Sequence, residues 1–412
     1  MANQFKWANA LSTRPSLEAA VAEVVERATM SLPGQADLGL VFISSSYASE
    51  YPRLMPLLRD RLSVPTLIGC SGGGIIGMNS ENEPQEVEGD VALSLTLVQL
   101  PGVSVRAFHI SGDALPDLDS PPQGWVDLIG VPPEEEPQFI LLADAFSSKI
   151  NDLLQGLDFA YAGSIKVGGQ ASSGGMGNST GLFCNYQLYR EGTIGVALSG
   201  NIVLETIVAQ GCRPIGQPYQ VVKGERNILL ELAEQDSNNV CNQKARSPLS
   251  VLQELIQELS EADRELAQHS LFVGVARDEF KQQLEPGDFL IRNLIGVDPR
   301  VGAIAIGDRV RPGQRIQFHL RDARTSAEDL ELLLRRYQEQ SVDSPSAGAL
   351  MFSCMGRGEG LYEEPNFDSR LFRRYLKNIP LGGFFCNGEI GPVGGSTFLH
   401  GYTSVFGICR QP

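Results

Sequence analysis

The sequence has few basic residues, and few of the side chains that most often hold metals. It contains 33 Lys and Arg against 49 Asp and Glu, which gives a net charge of −16. Nucleic-acid binding needs Lys and Arg concentrated on one face, and an anionic membrane attracts the same residues. We therefore expect neither a nucleic-acid partner nor a membrane partner. The four histidines lie far apart in the sequence, so we also expect no metal site.

Cysteine motifs and long apolar runs are missing as well. The seven cysteines are scattered and none forms a CxxC, which argues against a disulfide framework. No apolar stretch approaches the length of a membrane span, and the start MANQFKWANALSTR lacks the basic-then-apolar pattern of a secretory signal. We expect a cytoplasmic protein with reduced thiols.

The sequence does contain an internal repeat of strand, helix and strand that ends in glycines. The three copies begin at LGLVFISS, QFILLADAFSS and GALMFSCMGRG, and end at PTLIGCSGGGIIG, SIKVGGQASSGG and IPLGGFFCNGEIGPVGG. The separation between Val41 and Gly69 equals that between Leu141 and Gly169. Nearly all-apolar strands are typical of sheets covered on both faces. The pattern predicts an α/β fold of mixed α+β layers, with two similar lobes and glycine-rich exits at the sheet edges.

Polar and Pro-rich breaks predict the domain boundaries. The four predicted segments are a helical lead-in (1–30), a first region (31–235), a linker (236–248) and a second region (249–412).

Two local patterns in the second half of the chain give testable structural expectations. Ser247 and Pro248 predict the N-cap and the first position of a helix that follows the linker. The segment RVRPGQRIQFHL, residues 309–320, predicts a hairpin that turns at Pro312 and Gly313.

The glycine-rich exits do not fit a nucleotide site. Gly72, Gly74 and Gly77 have the spacing of a dinucleotide fingerprint, but SENEPQEVEGD follows them where the fingerprint requires a helix. No Lys follows the glycines, as a Walker loop would require. We expect no bound cofactor.

The same exits carry cysteines, so an enzyme is the alternative function. Cys354 and Cys70 are the candidate nucleophiles of a Cys- or Glu-assisted hydrolase or transferase. A nucleophilic Cys needs a nearby base and a lowered pKa, and no His is close to either residue in the sequence. A protein-interaction scaffold without a ligand is the second alternative.

The interpretation we favour is ligand binding by backbone and charged side chains. Glycines let N–H groups approach a ligand closely, and successive N–H groups can bind an anion. Arg357 in SCMGRGEG suits a carboxylate, and Glu389 in CNGEIGP suits an ammonium group. Together they would bind a zwitterion such as an amino acid. The structural alternatives are that Arg357 and Glu389 pair with each other, or that Glu389 accepts N–H groups of its own turn.

At these motifs the chain resembles the FIST family over nearly its whole length. Segments that resemble the FIST N-terminal region, residues 31–235, are GCSGGGIIG, EVEGDVALSLTLVQLPG, VGGQASSGG and VAQGCRPIGQPYQVVKGERNILLEL. Segments that resemble the FIST C-terminal region, residues 249–412, are RPGQRIQFHLRDA, GALMFSCMGRG and GGFFCNGEIGPVGGSTFLHGYTSVFG.

The resemblance implies a sensory, signal-transduction module that binds small ligands such as amino acids. Carried over by position, the implied ligand-binding residues are Arg357, Glu389, Asn387, Gly388 and Cys354, with Gly69, Ser71, Gly169 and Gly383 lining the site. The chain has no output domain at either end, so we expect a stand-alone sensor that signals through a separate partner protein. We expect a binding module rather than an enzyme.

Overall fold

The computed structural model describes residues 4–174, 180–234, 245–278, 281, 283–284, 286–340 and 346–412. The chain forms two compact units. The first, which we call the sheet unit, consists of Met1–Ala209 and Glu331–Pro412. The second, the barrel unit, is Gln210–Leu330.

The described part of the sheet unit contains three six-stranded sheets. The first has the order β1 (Lys6–Ser12), β6 (Leu93–Gln99), β2 (Leu38–Ser44), β3 (Thr66–Gly72), β10 (Leu182–Cys184), β11 (Gln187–Tyr189). The second has the order β23 (Ser396–His400), β22 (Glu389–Val393), β9 (Lys166–Gln170), β8 (Gln138–Ala143), β12 (Thr193–Gly200), β7 (Val103–Ile110). The third has the order β13 (Val203–Ala209), β24 (Ser404–Arg410), β20 (Gly348–Cys354), β21 (Leu381–Cys386), β4 (Gly74–Met78), β5 (Pro84–Glu88).

The described part of the barrel unit is a closed barrel with two α-helices of its own. Its strand order is β14 (Cys212–Glu225), β15 (Ile228–Glu234), β18 (Ala303–Ile306), β17 (Phe289–Asp298), β16 (Leu271–Ala276), β19 (Arg315–Arg321), and its helices are α5 (Pro248–Glu258) and α6 (Glu261–Ala267). The helices of the sheet unit are α1 (Leu17–Ser31), α2 (Tyr51–Arg61), α3 (Pro122–Ile129), α4 (Ile150–Ala160), α8 (Glu359–Tyr362) and α9 (Phe367–Tyr375). The boundary between the units falls within α7 (Ala323–Gln340).

The three predicted repeats are confirmed, and all of them lie in the sheet unit. The apolar strands β2, β8 and β20 each pair in parallel with the next long strand of their repeat, β3, β9 and β21. Helices α2, α4 and α9 make the crossovers, as parallel pairing requires. The mixed α/β class is therefore confirmed.

One apolar core joins the three sheets. Phe42 of the first sheet, Val167 of the second and Phe384 of the third belong to the same buried cluster, and the rings of Phe42 and Phe384 stack with centroids 5.1 Å apart. Helices α1 and α2 cover the other face of the first sheet, and α3 and α4 that of the second. Because the strands are buried on both faces, their sequences are nearly all apolar.

Several local expectations can be compared with the structure. Ser247 caps α5, since its Oγ accepts the N–H of Ser250 at 3.3 Å, and Pro248 is the first helical residue as predicted. The lead-in 1–30 is not helical throughout, because β1 precedes α1. Most of the predicted linker, residues 236–244, lies outside the described residues, and the domain boundaries stay predictions.

The predicted hairpin at residues 309–320 is wrong. The turn at Pro312 and Gly313 exists and β19 follows it, but residues 309–311 form no strand. β19 pairs instead with β14 and β16, which are distant in sequence. The apolar alternation after the turn is real, since Ile316, Phe318 and Leu320 face the barrel core. The hairpin prediction fails because the turn at Pro312 and Gly313 has a strand on one side only.

Within the described residues, no helix combines the length and the apolar character needed to cross a bilayer.

Candidate functional site

The glycine-rich exits of the three repeats meet in the sheet unit, at a place we call the exit junction (residues 71–73, 171–174, 354–356 and 386–389). Ser172, which follows β9, is fully buried at its centre. Its Oγ accepts the N–H of Gly73 at 2.9 Å and donates to the carbonyl oxygen of Phe385. Its own N–H donates to the carbonyl oxygen of Ser71 at 3.2 Å. One side chain therefore links all three repeats.

Ser71 is held by the protein itself. Its Oγ donates to the carbonyl oxygen of Ser172 at 3.2 Å and accepts the N–H of Gly181 at 3.0 Å. These bonds fix the end of β3 against the exit of the second repeat. They give Ser71 a structural role, and its role in lining a ligand site stays a prediction.

The loop after β21 pairs with the end of β9. The N–H of Asn387 donates to the carbonyl oxygen of Gln170 at 3.1 Å, and its Nδ2 donates to that of Ala171 at 3.2 Å. The carbonyl oxygen of Gly388 accepts the N–H of Gln170 at 2.8 Å. Asn387 is nevertheless exposed, and its Oδ1 accepts no hydrogen bond within the described residues. It offers an acceptor at the surface of the junction.

A buried carboxylate lies beneath this loop. Glu389 is fully buried at the start of β22, and its Oε2 accepts the N–H of Thr403 at 3.1 Å. Its register partners are Gly169 on β9 and His400 on β23. His400 was missed by the sequence reasoning, although the segment TFLHGYTS places a His near the third exit. A carboxylate with no exposed surface needs hydrogen-bond partners, and the N–H of Thr403 is one of them.

Glu389, Cys70 and Cys354 lie near the thiol of Cys386, and two of the three thiols are poor nucleophiles. Burial raises the pKa of Cys70 well above its usual range. Burial also raises the pKa of Cys386, and the neighbouring Glu389, Cys70 and Cys354 raise it further. Both groups therefore stay protonated near neutral pH, which does not favour catalysis by Cys70. Cys354 of β20 lies opposite Cys386 of β21 in the strand register. Its Sγ accepts the N–H of Gly356 at 3.4 Å.

Arg357 forms a buried ion pair with Asp368. Its Nε and Nη2 lie 2.7 and 3.0 Å from the two oxygens of Asp368, and both side chains are 0% exposed. Nη2 also donates to the hydroxyl of Tyr362. Sequence reasoning did not identify Asp368, since it lies in α9 among charged residues of both signs. The ion pair gives Arg357 a structural partner, and contact with a ligand stays a prediction.

Close packing between neighbouring strands explains the glycines inside the strands. A Cβ on Gly69 would lie 1.9 Å from the carbonyl oxygen of Val41, and one on Gly383 would lie 1.9 Å from that of Met351. In the second repeat, a Cβ on Gly168 would lie 1.8 Å from the carbonyl oxygen of Leu141, so Gly168 is the equivalent glycine. It lies one residue before Gly169, the position that equal spacing suggests. Only glycine allows such close approach.

Gly169 serves a different contact. A Cβ on Gly169 would lie 2.4 Å from Sγ of Cys386, so this glycine makes room for the third repeat. Gly69, Gly169 and Gly383 thus hold the strands together, and their role in lining a ligand site stays a prediction.

The junction shows no metal-binding arrangement. Among the described residues, no group of three or more His, Cys, Asp or Glu side chains is placed to hold a metal ion. The described cysteines are buried and form no disulfide with one another.

In open α/β sheets, ligands commonly bind at the carboxyl ends of the parallel strands, and the glycine-rich exits of this α/β protein follow those ends. The family comparison specifies the class further. The FIST N domain matches residues 37–235, and the FIST C domain matches residues 248–392. The chain belongs to the FIST family, a family of small-ligand-binding sensory domains.

Relatives extend this similarity over almost the whole chain. An uncharacterized protein of Mycobacterium tuberculosis is 32% identical over 398 residues, which cover 96% of this chain and 97% of the relative. An uncharacterized protein of Mycobacterium bovis is 31% identical over 396 residues, 95% of each chain. An F-box/LRR-repeat protein of Arabidopsis thaliana is 23% identical over 234 residues, 51% of this chain and 43% of the relative.

Proposed function

We propose that this chain is an intracellular sensory module that binds a small polar metabolite, an amino acid, at the exit junction and signals through a separate partner protein. The observation that carries the proposal is the convergence of three glycine-rich exits on Ser172, above the buried carboxylate of Glu389. Membership of a small-ligand-binding family supports it.

The junction offers a carboxylate and backbone N–H donors to the two charged groups of a zwitterion. Glu389 would pair with the ammonium group, and the Oδ1 of Asn387 would accept one of its hydrogen bonds. Backbone N–H groups of the exits would bind the carboxylate, as successive N–H groups do in anion sites. The N–H of Gly356 donates to the sulfur of Cys354, a weak acceptor that a carboxylate oxygen would replace.

Ligand binding would then report through the loops. Ser172 connects the exits of all three repeats, so a ligand that orders one exit affects the others. A ligand shifts a population only by its differential affinity for the two states, and loops at strand ends supply such states. A partner that recognises the ordered loops would receive the signal.

A thermal-shift screen of the full chain against free amino acids, small dicarboxylates and nucleotides tests the proposal. At about a hundredfold above its dissociation constant, a ligand stabilises the fold by about 2.7 kcal/mol. We expect one amino acid to give a saturable shift that Glu389→Gln abolishes and the exposed control Glu81→Gln retains. Asn387→Ala, at an exposed position, serves if Glu389→Gln fails to fold.

The opposite results have definite meanings. A shift that survives both Glu389→Gln and Asn387→Ala would place the ligand elsewhere. Stabilisation by a nucleotide would support a dinucleotide site at the fingerprint glycines that begin at Gly72. No shift with any compound would favour a scaffold that needs no ligand.

A further inference from the structure

A concave site lies in the sheet unit apart from the exit junction, and the two share no residue. It is a cavity of about 250 Å³ between β1, the end of β4 and the segment that follows α9. The residues that matter for its chemistry are Trp7, Asn9, Met78, Asn82, Arg373 and Asn378.

The inner part of the cavity is rigid and largely apolar. Trp7 is 9% exposed, and its ring packs against Gly348, where a Cβ would lie 2.1 Å away. The buried Nε1 of Trp7 has no hydrogen-bond partner within the described residues. Met78 is buried beside it. Asn9 is held by the hydroxyls of Ser94 and Thr96 and by the N–H of Met78.

The outer part carries hydrogen-bond donors. Arg373 has Glu83 as its nearest carboxylate, at 3.6 Å, beyond hydrogen-bond length. Within the described residues, its guanidinium forms no hydrogen bond. Asn82 and Asn378 are exposed and adopt left-handed backbone conformations, with φ of 57° and 63°. Neither side-chain amide forms a hydrogen bond in the part of the chain described by the structure.

The cavity of this acidic chain is lined by a basic side chain, and the ion-pair partner of that side chain, Glu83, lies outside the lining. The chain carries a net charge of −16, whereas Arg373 is the charged residue among those that line the cavity. One guanidinium suits the two oxygens of a carboxylate, and an aromatic wall suits a ring. Small-molecule sites commonly join an apolar body with a few placed polar groups.

We propose that this cavity binds a small aromatic carboxylic acid. The carboxylate pairs with Arg373 and the amide of Asn378, and the ring lies against Trp7 and Met78. This site is independent of the proposed amino-acid site at the exit junction.

Tryptophan fluorescence gives a direct test, because the chain has two Trp residues, Trp7 and Trp125. In Trp125→Phe, all tryptophan emission comes from Trp7. The probe is phenylacetate, and its neutral isostere phenylacetamide is the matched control ligand. We expect saturable quenching by phenylacetate, with at least tenfold weaker binding of phenylacetamide.

Arg373→Gln should weaken phenylacetate binding at least tenfold, whereas Arg374→Gln, its exposed neighbour in α9, should leave it within twofold. Calorimetric titration of Arg373→Gln and Arg374→Gln in the otherwise unchanged chain gives the same comparison if Trp125→Phe fails to fold. The proposal is overturned if phenylacetate does not bind saturably, if acid and amide bind equally, or if the two arginine variants behave alike.

Discussion

The sheet unit and the barrel unit each contain a glycine and an ion pair that can be compared directly, and these differ in how tightly they are packed. In the sheet unit, Gly69 lies where a Cβ would meet a carbonyl oxygen at 1.9 Å, and the Arg357–Asp368 pair is fully buried. In the barrel unit, Gly296 of β17 faces open space, and Arg213 pairs with Asp263 at side-chain exposures of 33% and 29%. These two contacts of the sheet unit should therefore tolerate less change than their counterparts in the barrel unit.

The largest difference should appear when an ion pair is broken. Asp368→Asn leaves the buried guanidinium of Arg357 without its carboxylate, so we expect a loss of about 4 kcal/mol in the free energy of unfolding. Asp263→Asn in the barrel unit should cost about 1 kcal/mol or less, since its pair is partly solvated. Urea unfolding followed by tryptophan fluorescence reports the sheet unit, and hydrogen exchange of β14 reports the barrel unit. Equal losses would remove the distinction.

The same substitution at two glycines should give the next largest difference. Gly69→Ala forces a Cβ against the carbonyl oxygen of Val41, so we expect a loss of about 3 kcal/mol. Gly296→Ala adds a methyl group in open space and should change stability by about 0.5 kcal/mol or less. Thermal unfolding of both variants measures the contrast. A small loss of stability in Gly69→Ala would show that β2 and β3 can separate slightly at little cost in free energy.

The two units should also respond to pH with opposite signs. Burial, together with the charge of Asp368, raises the pKa of Glu86 in β5 to about 7. The folded state then holds a proton that the unfolded chain has lost, so stability falls as pH rises from about 4.5 to 7, by about 2 kcal/mol. Glu86→Gln keeps an acceptor for the N–H of Ser369, and its free energy of unfolding should not change with pH across this range. Urea unfolding at pH 5 and pH 7 measures the difference.

His319 in the barrel unit provides the counterpart. Burial lowers the pKa of His319 to about 4. Between pH 6.5 and 4 the unfolded chain binds a proton that the folded state refuses, so stability falls as pH decreases. The protection factors of the β19 amides, which correct for the intrinsic pH dependence of exchange, should therefore fall on acidification in the wild type and less so in His319→Gln. Parallel responses of the Glu86 and His319 variants would contradict the comparison.

The sequence predicted what is local and repeated. The apolar strands β2, β8 and β20 stand out because burial on both faces leaves no polar alternation. The N-cap at Ser247 follows from its own hydroxyl and the next residue, Pro248.

Other features depend on contacts between distant segments. Asp368 pairs with Arg357 only once α9 has folded against the third sheet. Ser172 gains its role from Gly73 and Phe385, which belong to the other two repeats. Gly168 differs by one residue from the position given by equal spacing, because strand register depends on tertiary pairing. These contacts and registers are determined by the tertiary structure and not by neighbouring residues in the sequence.

Hydrogen exchange of the full chain, with and without the amino acid found in the screen, tests the central claim most directly. If the ligand binds at the exit junction, peptides that contain residues 71–73, 171–174, 354–356 and 386–389 gain protection together, because Ser172 joins their backbones. Barrel peptides such as β17 and β18 should not change. Protection confined to one exit, or found around Trp7 and Arg373 instead, would contradict the claim that the three repeats form one sensory site.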